Sequence, residues 1–378
     1  MKVYTITCHD VYNLGSSLQA YALATYLKNL GLQVEIIDYK PDYLSRHYNL
    51  STIGNQRYDR PLLREIYLLL KLPGRLKALY SKRKAEFDRF KLELLPLTFR
   101  RYSSNEDLKV NLPRADVYFA GSDQIWNCFF QNGRDPAFYL DFAPENAVKA
   151  SYAASFATED VPREWGPQVK KWIMRLDAVS VREDSGVQIV EKMGVHGAIQ
   201  VLDPVFLLSK EAWEQISERL LFHDKYVLLY DFDRNESLGE TARKLAREKG
   251  WKVYSCLSNP FADRCFDQSG PLSFLSLVKN AKLVMTNSFH ATAFSIIFEK
   301  NFWVVDRKEP INTRMRDLIR LLGASERMLT DYDEELLRPL DYRIITPTLK
   351  KHIKKSKFFI NSVMRQRKNR TSETTGVS

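Results

Sequence analysis

Short apolar runs that each end in a knot of glycine, serine, asparagine, aspartate or histidine, and then pass straight into a helical pattern, constrain this chain more than any other feature. The first is Lys2 to Thr7, followed by Asn13-Leu14-Gly15, a helix through Leu18, Tyr21, Ala22, Leu23, Tyr26 and Leu27, and a second strand from Gln33 to Asp38. Helical spacing between two β-type runs predicts a βαβ unit with parallel strands and a right-handed crossover. Ser16 or Ser17 is the expected N-cap and Gly31 the expected stop.

The rhythm returns at Asp116 to Ala120, Val148 to Ala153, Ala178 to Val181 and Ala198 to Leu202, with helices near Pro162 to Arg175 and Glu183 to Met193. A second series holds strands at Tyr226 to Tyr230, Trp251 to Ser255, Lys282 to Thr286 and Phe302 to Val305. Its helices end at Gly250, span Ala291 to Glu299, and start at Thr313. Strands alternating with helices predict an α/β fold of two Rossmann-like, doubly wound halves that face each other across a cleft. The expected domains are 1–202, carrying a helical insertion at about 60–101, and 203–348, joined near 203–222. Pro73-Gly74 should break the insertion. Residues 349–378 read as a basic helix from Leu349 to Arg370 that frays into a Thr/Ser/Gly end.

A chain of 378 residues, 44% hydrophobic and 27% charged, is long enough for two such domains and has a globular composition. Its first residues read as a strand rather than a signal peptide, and no run approaches the roughly 18 apolar residues of a membrane span. A cytoplasmic location is expected. The net charge of +11 is concentrated: segment 60–101 carries +8 and segment 350–370 carries +9, leaving −6 elsewhere. Basicity confined to two apolar, helical stretches suits an anionic membrane surface at the inner face, or an anionic acceptor, better than nucleic acid, which is not expected as a partner. Two solvated helix faces are the plainer reading.

Five strand-to-helix turns could carry chemistry. Asn13-Leu14-Gly15-Ser16-Ser17 offers helix-start amides and hydroxyls to an anion, though it matches neither a dinucleotide nor a Walker loop. Gly121-Ser122-Asp123-Gln124-Ile125-Trp126-Asn127 brings polar side chains and an indole to a strand's carboxyl end, as a sugar site would. Arg182 ends another strand, where a guanidinium can grip a carboxylate or phosphate; an ion pair with Glu183 or Asp184 is its structural alternative. In Asn287-Ser288-Phe289-His290-Ala291-Thr292 the imidazole falls in a first helical turn that attracts anions, a place that suits catalysis. Asn312-Thr313-Arg314-Met315-Arg316 adds cationic donors or is simply a surface helix start. His9, His47, His196, His223, His290 and His352 form no metal-binding spacing, and Cys8, Cys128, Cys256 and Cys265 form no CxxC, so no metal is expected and the thiols should be reduced and buried.

Taken in order, Asn13-Leu14-Gly15 with Leu18-Gln19-Ala20-Tyr21-Ala22-Leu23, Gly121 to Asn127, Tyr152-Ala153-Ala154-Ser155-Phe156, Val181 to Gly186, Leu202-Asp203-Pro204-Val205 and Ser288-Phe289-His290-Ala291 resemble the polysaccharide pyruvyl transferase family. The resemblance implies a GT-B-like pair of domains, phosphoenolpyruvate as donor with no cofactor, and as acceptor a sugar of a cell-surface polysaccharide or its lipid-linked precursor. It implies Arg182 in donor binding and His290 as general acid. Where many members carry a basic residue two positions before the histidine this chain has Ser288, so part of the donor's anionic contact falls to Arg314 or Arg316. Asp123 is the nearest group to take the hydroxyl proton. Two other functions fit the same architecture: a glycosyltransferase using a nucleotide-sugar, and a non-catalytic protein that binds a sugar or lipid carrier in a polysaccharide assembly complex.

Overall fold

The computed structural model describes residues 1–44, 60–220, 222–329 and 337–375, without the side chains of 61, 62 and 368–375. His47 and the end beyond Thr375 lie outside the described residues. Five parallel strands make the first sheet: β1 (Lys2–Ile6), β2 (Gln33–Tyr39), β3 (Leu97–Tyr102), β4 (Val117–Ala120) and β5 (Val148–Ser151), in the order β3-β2-β1-β4-β5. Parallel bridges from Ala150 to Ala178 and from Ala154 to Val181 continue it into the short pair β6 (Ser180–Val181) and β7 (Ile199–Gln200). The second sheet holds β8 (Tyr226–Tyr230), β9 (Lys252–Ser255), β10 (Arg264–Cys265), β11 (Leu283–Thr286) and β12 (Phe302–Val304), in the order β10-β9-β8-β11-β12. Its pairs are also parallel. The central strands β4, β5, β8 and β11 are buried along their whole length, as strands covered by helices on both faces must be.

The first half carries α1 (Leu14–Asn29), α2 (Pro61–Leu79), α3 (Lys82–Leu94), α4 (Asn105–Val110), α5 (Gly166–Ile173) and α6 (Asp184–Lys192). After α7 (Lys210–Ile216) come α8 (Glu236–Lys249), α9 (Pro271–Asn280), α10 (Phe289–Ile297), α11 (Thr313–Leu321) and α12 (Tyr342–Thr375). The cap of α1 is Asn13, not a serine: its Oδ1 accepts from Gly15 N at 3.0 Å and Ser16 N at 3.2 Å, which releases Ser16 for other bonds. Gly31, at φ +78°, follows the helix in the left-handed region a side chain disfavours.

Two expectations fail in the helices. Pro73 lies inside an unbroken α2, the turns on either side carrying the helix through without the one hydrogen bond that the missing N–H cannot give; the chain turns instead at Tyr80-Ser81, where the Ser81 hydroxyl accepts from Lys84 N and starts α3. The terminal helix starts at Tyr342, ahead of the expected Leu349, and packs back onto the first half. Its Ile345, Phe359, Ile360, Val363 and Met364 are buried, its Ser356 Oγ accepts from Leu202 N at 2.9 Å, and Arg367 pairs with Asp116. One apolar cluster runs through both halves and takes in this helix. Across the cleft, Asp317 of α11 accepts from the Asp184 N at the start of α6, a cap supplied by the opposite half. Of the thiols, Cys8, Cys128 and Cys256 are buried, but Cys265 is exposed because β10 is an edge strand.

Candidate active site

The carboxyl ends of β1, β4, β6, β7, β11 and β12 converge on a cluster of charges shared by the two halves. Asp123 follows β4 in a left-handed conformation, φ +73°. Its loop stays zipped to the neighbouring segment through a parallel bridge to Ala154 and the bond from Ser155 N to Asp123 O. The carboxylate accepts the Ser16 hydroxyl and lies 3.5 Å from the Arg314 guanidinium and 3.8 Å from that of Arg182. Burial alone would raise the Asp123 carboxyl, but Arg182, His290 and Arg314 outweigh it and hold it below the ordinary carboxylate range.

Asp203, after β7, is buried against the Arg182 guanidinium at 3.1 Å and lies 3.6 Å from His290 Nε2. Its other oxygen accepts from Val205 N. Against the cost of burial, Arg182 and His290 lower its carboxyl to about 2. Glu183 is as deeply placed but has weaker compensation: burial raises its carboxyl, although Ser155 Oγ and Ala157 N both donate to Oε1. Arg314 is brought down to about 10 by burial and by Arg182, and so keeps its charge at neutral pH.

His290 comes from the first turn of α10, whose cap is Ser288: Ser288 Oγ accepts from Ala291 N, and Thr286 Oγ1 accepts from Ser288 N. The imidazole lies flat over Gly15 of the opposite half, so close that a methyl group there would sit 1.9 Å from Nδ1. It opens onto a cavity of about 310 Å³ whose polar wall is Asn13, Ser16, Asp123, Gln124, Ser288 and His290 with Arg307, Arg314, Asn132 and Asn287, and whose apolar side includes Phe289 and Phe232. Several buried donors of this cluster, His290 Nε2, Arg314 Nε, and Arg182 Nε and Nη1, have no hydrogen-bond partner among the described residues. Of these residues Arg314 and His290 line the cavity while Arg182 stands behind it, so the Arg314 guanidinium is the buried cationic donor that most directly favours an anionic ligand there.

The structure redistributes the expected site residues. Asn13, Ser16, Asp123, Gln124, Ser288, His290 and Arg314 meet at the cavity, and Gly15 is the floor under the imidazole. Arg182 lies behind the wall: it donates to Ser122 Oγ at 2.7 Å, and its guanidinium packs 4.8 Å from the centre of the Phe289 ring. Its partner is Asp203 rather than the adjacent Glu183 or Asp184. Ser122 is fully buried between Arg182 and Ala153 O. Trp126 is a core residue, stacked on Tyr139 at 5.2 Å with its indole N–H donating to Phe138 O, and Asn127 is equally buried, bonding Gln124 and Phe129 N. The continued pairing of this loop turns these three inward, while Asp123 and Gln124 face the cleft. Arg316 also leaves the site. Two residues from Arg314 is more than half a helical turn, so it points outward and binds Asp306 beside a separate concavity.

Arg307 went unnoticed in the sequence although it obeys the same rule, following β12 by three residues; it stacks on Phe232 at 4.8 Å and pairs with Glu309 at 3.0 Å. Asp203 carried no assigned role, although it directly follows the strand read from Ala198 to Leu202. A larger concavity of about 970 Å³ lies between α3 and the β2–β3 edge, but its cations Lys40, Lys84, Lys91 and Arg101 are neutralised by Asp10, Asp38 and Asp88. The smaller cavity, with its unmet donors, is the better candidate.

The polysaccharide pyruvyl transferase family model matches residues 13–309. No curated protein sequence matches the chain. Among solved structures, the UDP-GlcNAc 2-epimerase from Neisseria meningitidis bound to UDP-GlcNAc superposes with a TM-score of 0.53 at 11% identity, covering 97% of this chain and all of that one. The UDP-N-acetylglucosamine 2-epimerase from Rickettsia bellii gives 0.50 at 11% identity, with 98% and 97% covered. At this identity the likeness establishes the GT-B-like fold alone.

Proposed function

Because this chain belongs to the polysaccharide pyruvyl transferase family, we propose that it moves the enolpyruvyl group of phosphoenolpyruvate onto a sugar of a surface polysaccharide, or its lipid-linked precursor, as a ketal. The observation that carries the reading is the His290 imidazole seated between Gly15 and Asp203, beside the Arg314 guanidinium, on one wall of a cavity.

Phosphoenolpyruvate presents a carboxylate, a phosphate and a methylene carbon that must be protonated. Arg314 and Arg307 line the cavity and would take the anionic groups, with Arg182 adding positive potential from behind Phe289. Protonated His290 would deliver its proton to the methylene carbon, a step worth about 10² to 10⁴ in rate. A sugar hydroxyl oxygen then bonds to the electrophilic carbon, phosphate departs, and a second hydroxyl closes the ketal. One hydroxyl proton restores the imidazolium and the other leaves with phosphate. Asp123, held ionised by its neighbours, is a weak base; it serves to accept a hydrogen bond from the attacking hydroxyl and orient it.

The test is incubation with phosphoenolpyruvate and a panel of aryl and lipid-linked sugars, read as phosphate release with a matching gain in sugar mass. His290→Ala should abolish both and leave the melting temperature near that of the parent. Turnover retained by the pure variant would reject the acid role. Transfer from a nucleotide-sugar in the same panel, with none from phosphoenolpyruvate, would replace this reading by glycosyl transfer.

A further inference from the structure

Helix α2 turns its apolar face to solvent. Leu63, Ile66, Leu69, Leu70, Leu76 and Tyr80 fall within an arc of about 140° on the wheel of this helix and its C-cap, and all six are exposed, Leu69 at 68%, Leu70 at 77% and Tyr80 at 82%. The opposite face, with Leu68, Leu72, Ala78 and Leu79, is the one turned inward. Single exposed leucines are ordinary on a protein surface, but six along one helix face mark an interaction surface.

We infer that this face of α2 docks the protein on an anionic lipid bilayer. Charge decides the occupant: α2 itself, Pro61–Leu79, carries Arg64, Lys71, Arg75 and Lys77 against one acid, Glu65. The exposed Lys77 lies within the apolar arc, and the exposed Arg64 and Lys71, on the far side of the wheel, add positive potential to the same helix. A second copy of the chain fits poorly, since a two-fold contact would press this cationic segment against its equal. Helix α12, equally basic, does not compete for the role, because its apolar face is buried in the core.

The face is tied to the cleft. Beyond Ser81, Arg83 of α3 donates to Tyr12 O and to Asp267 O, both at 3.2 Å, so it grips the loop before Asn13 and the second half together. Docking through α2 therefore engages a segment that is joined, through Arg83, to both halves at the rim of the cleft. The inference stands independently of the reaction, because its readout is binding.

The experiment floats the full chain with vesicles of phosphatidylcholine, alone or mixed with phosphatidylglycerol. The protein should rise with the mixed vesicles at low salt and less so as salt increases. Leu69→Glu with Leu70→Glu should lower vesicle affinity by about tenfold or more, whereas Lys354→Glu with Lys355→Glu on α12 should keep it within about twofold. Both are surface changes, so circular dichroism melts should match the parent, and as a gain-of-signal check Leu70→Trp should add fluorescence that shifts to the blue on mixed vesicles. A parent that never floats overturns the inference. So does a glutamate pair that floats as well as the parent, or binding lost only in the α12 variant. A dimer in ultracentrifugation that the glutamate pair dissociates, with no vesicle binding, would assign the face to self-association instead.

Discussion

Replacing Gly15 by alanine tests whether the imidazole's seat matters. In isolation the change favours α1, since alanine is better than glycine in a helix by up to about 1 kcal/mol. The new methyl carbon, however, would lie 1.9 Å from Nδ1, 2.2 Å from Cγ and 2.5 Å from Cε1 of His290. Ordinary contact begins at 3.4 Å, so the ring must withdraw by about 1.5 Å. It cannot do so freely, since α10 holds its backbone and Asp203 lies on its other side. Misplacing a reacting group by about 1 Å can cost 100-fold, so turnover should fall about 100-fold or more while the fold survives. The assay is phosphate release from phosphoenolpyruvate with an accepted sugar, joined to a thermal melt and to the nitrogen resonances of His290 in histidine-labelled protein. Parental turnover with unmoved resonances would refute the reasoning outright.

Arg314→Ala and Arg316→Ala make an informative pair: the first should raise the donor's KM or remove binding in calorimetry, while the second should change neither, since Arg316 is exposed and bound to Asp306. Trp126→Ala should destabilise the protein by about 3–5 kcal/mol in chemical unfolding, as loss of a buried aromatic does, with lost activity tracking lost fold rather than lost acceptor affinity. The Asp203 carboxyl sits at about 2 in the folded chain against an ordinary 3.8. Its folded value is the lower one, so its contribution, about 2 kcal/mol, is fully present above the ordinary value and disappears as pH falls toward 2. Denaturant unfolding over that range should show the decline, and Asp203→Asn should flatten it; equal slopes would contradict the assignment.

The central strands were readable in the sequence because parallel strands buried on both faces must be largely apolar runs, as β4, β8 and β11 are, whereas the edge strands β3, which fell within the expected helical insertion at about 60–101, and β10 went unread because their exposed residues break any such run. The turn rule found Asp123, His290 and Arg314, since a polar cluster directly after a buried strand has little else to do. It misjudged Trp126 and Asn127, because spacing along a loop does not say which side chains face inward while the loop goes on pairing with its neighbour. It missed the part played by Asp203 although the strand before it was read from Ala198 to Leu202, because a single acid before proline, without a polar cluster around it, reads as an ordinary turn. The basic helices misled for a related reason. Charge counted along α12 hides that every third or fourth residue is apolar and packed on the first half, whereas in α2 the same count accompanies an apolar face that is exposed and has no described residue packed over it.

The shared ownership of the imidazole's seat has a consequence for the proposed reaction. The imidazole belongs to α10, while its floor and its carboxylate neighbours belong to the opposing half. On the proposed reading, parting the halves to exchange ligands would dismantle the acid, so that phosphoenolpyruvate arriving at an open molecule would meet no competent proton and would not be lost to water.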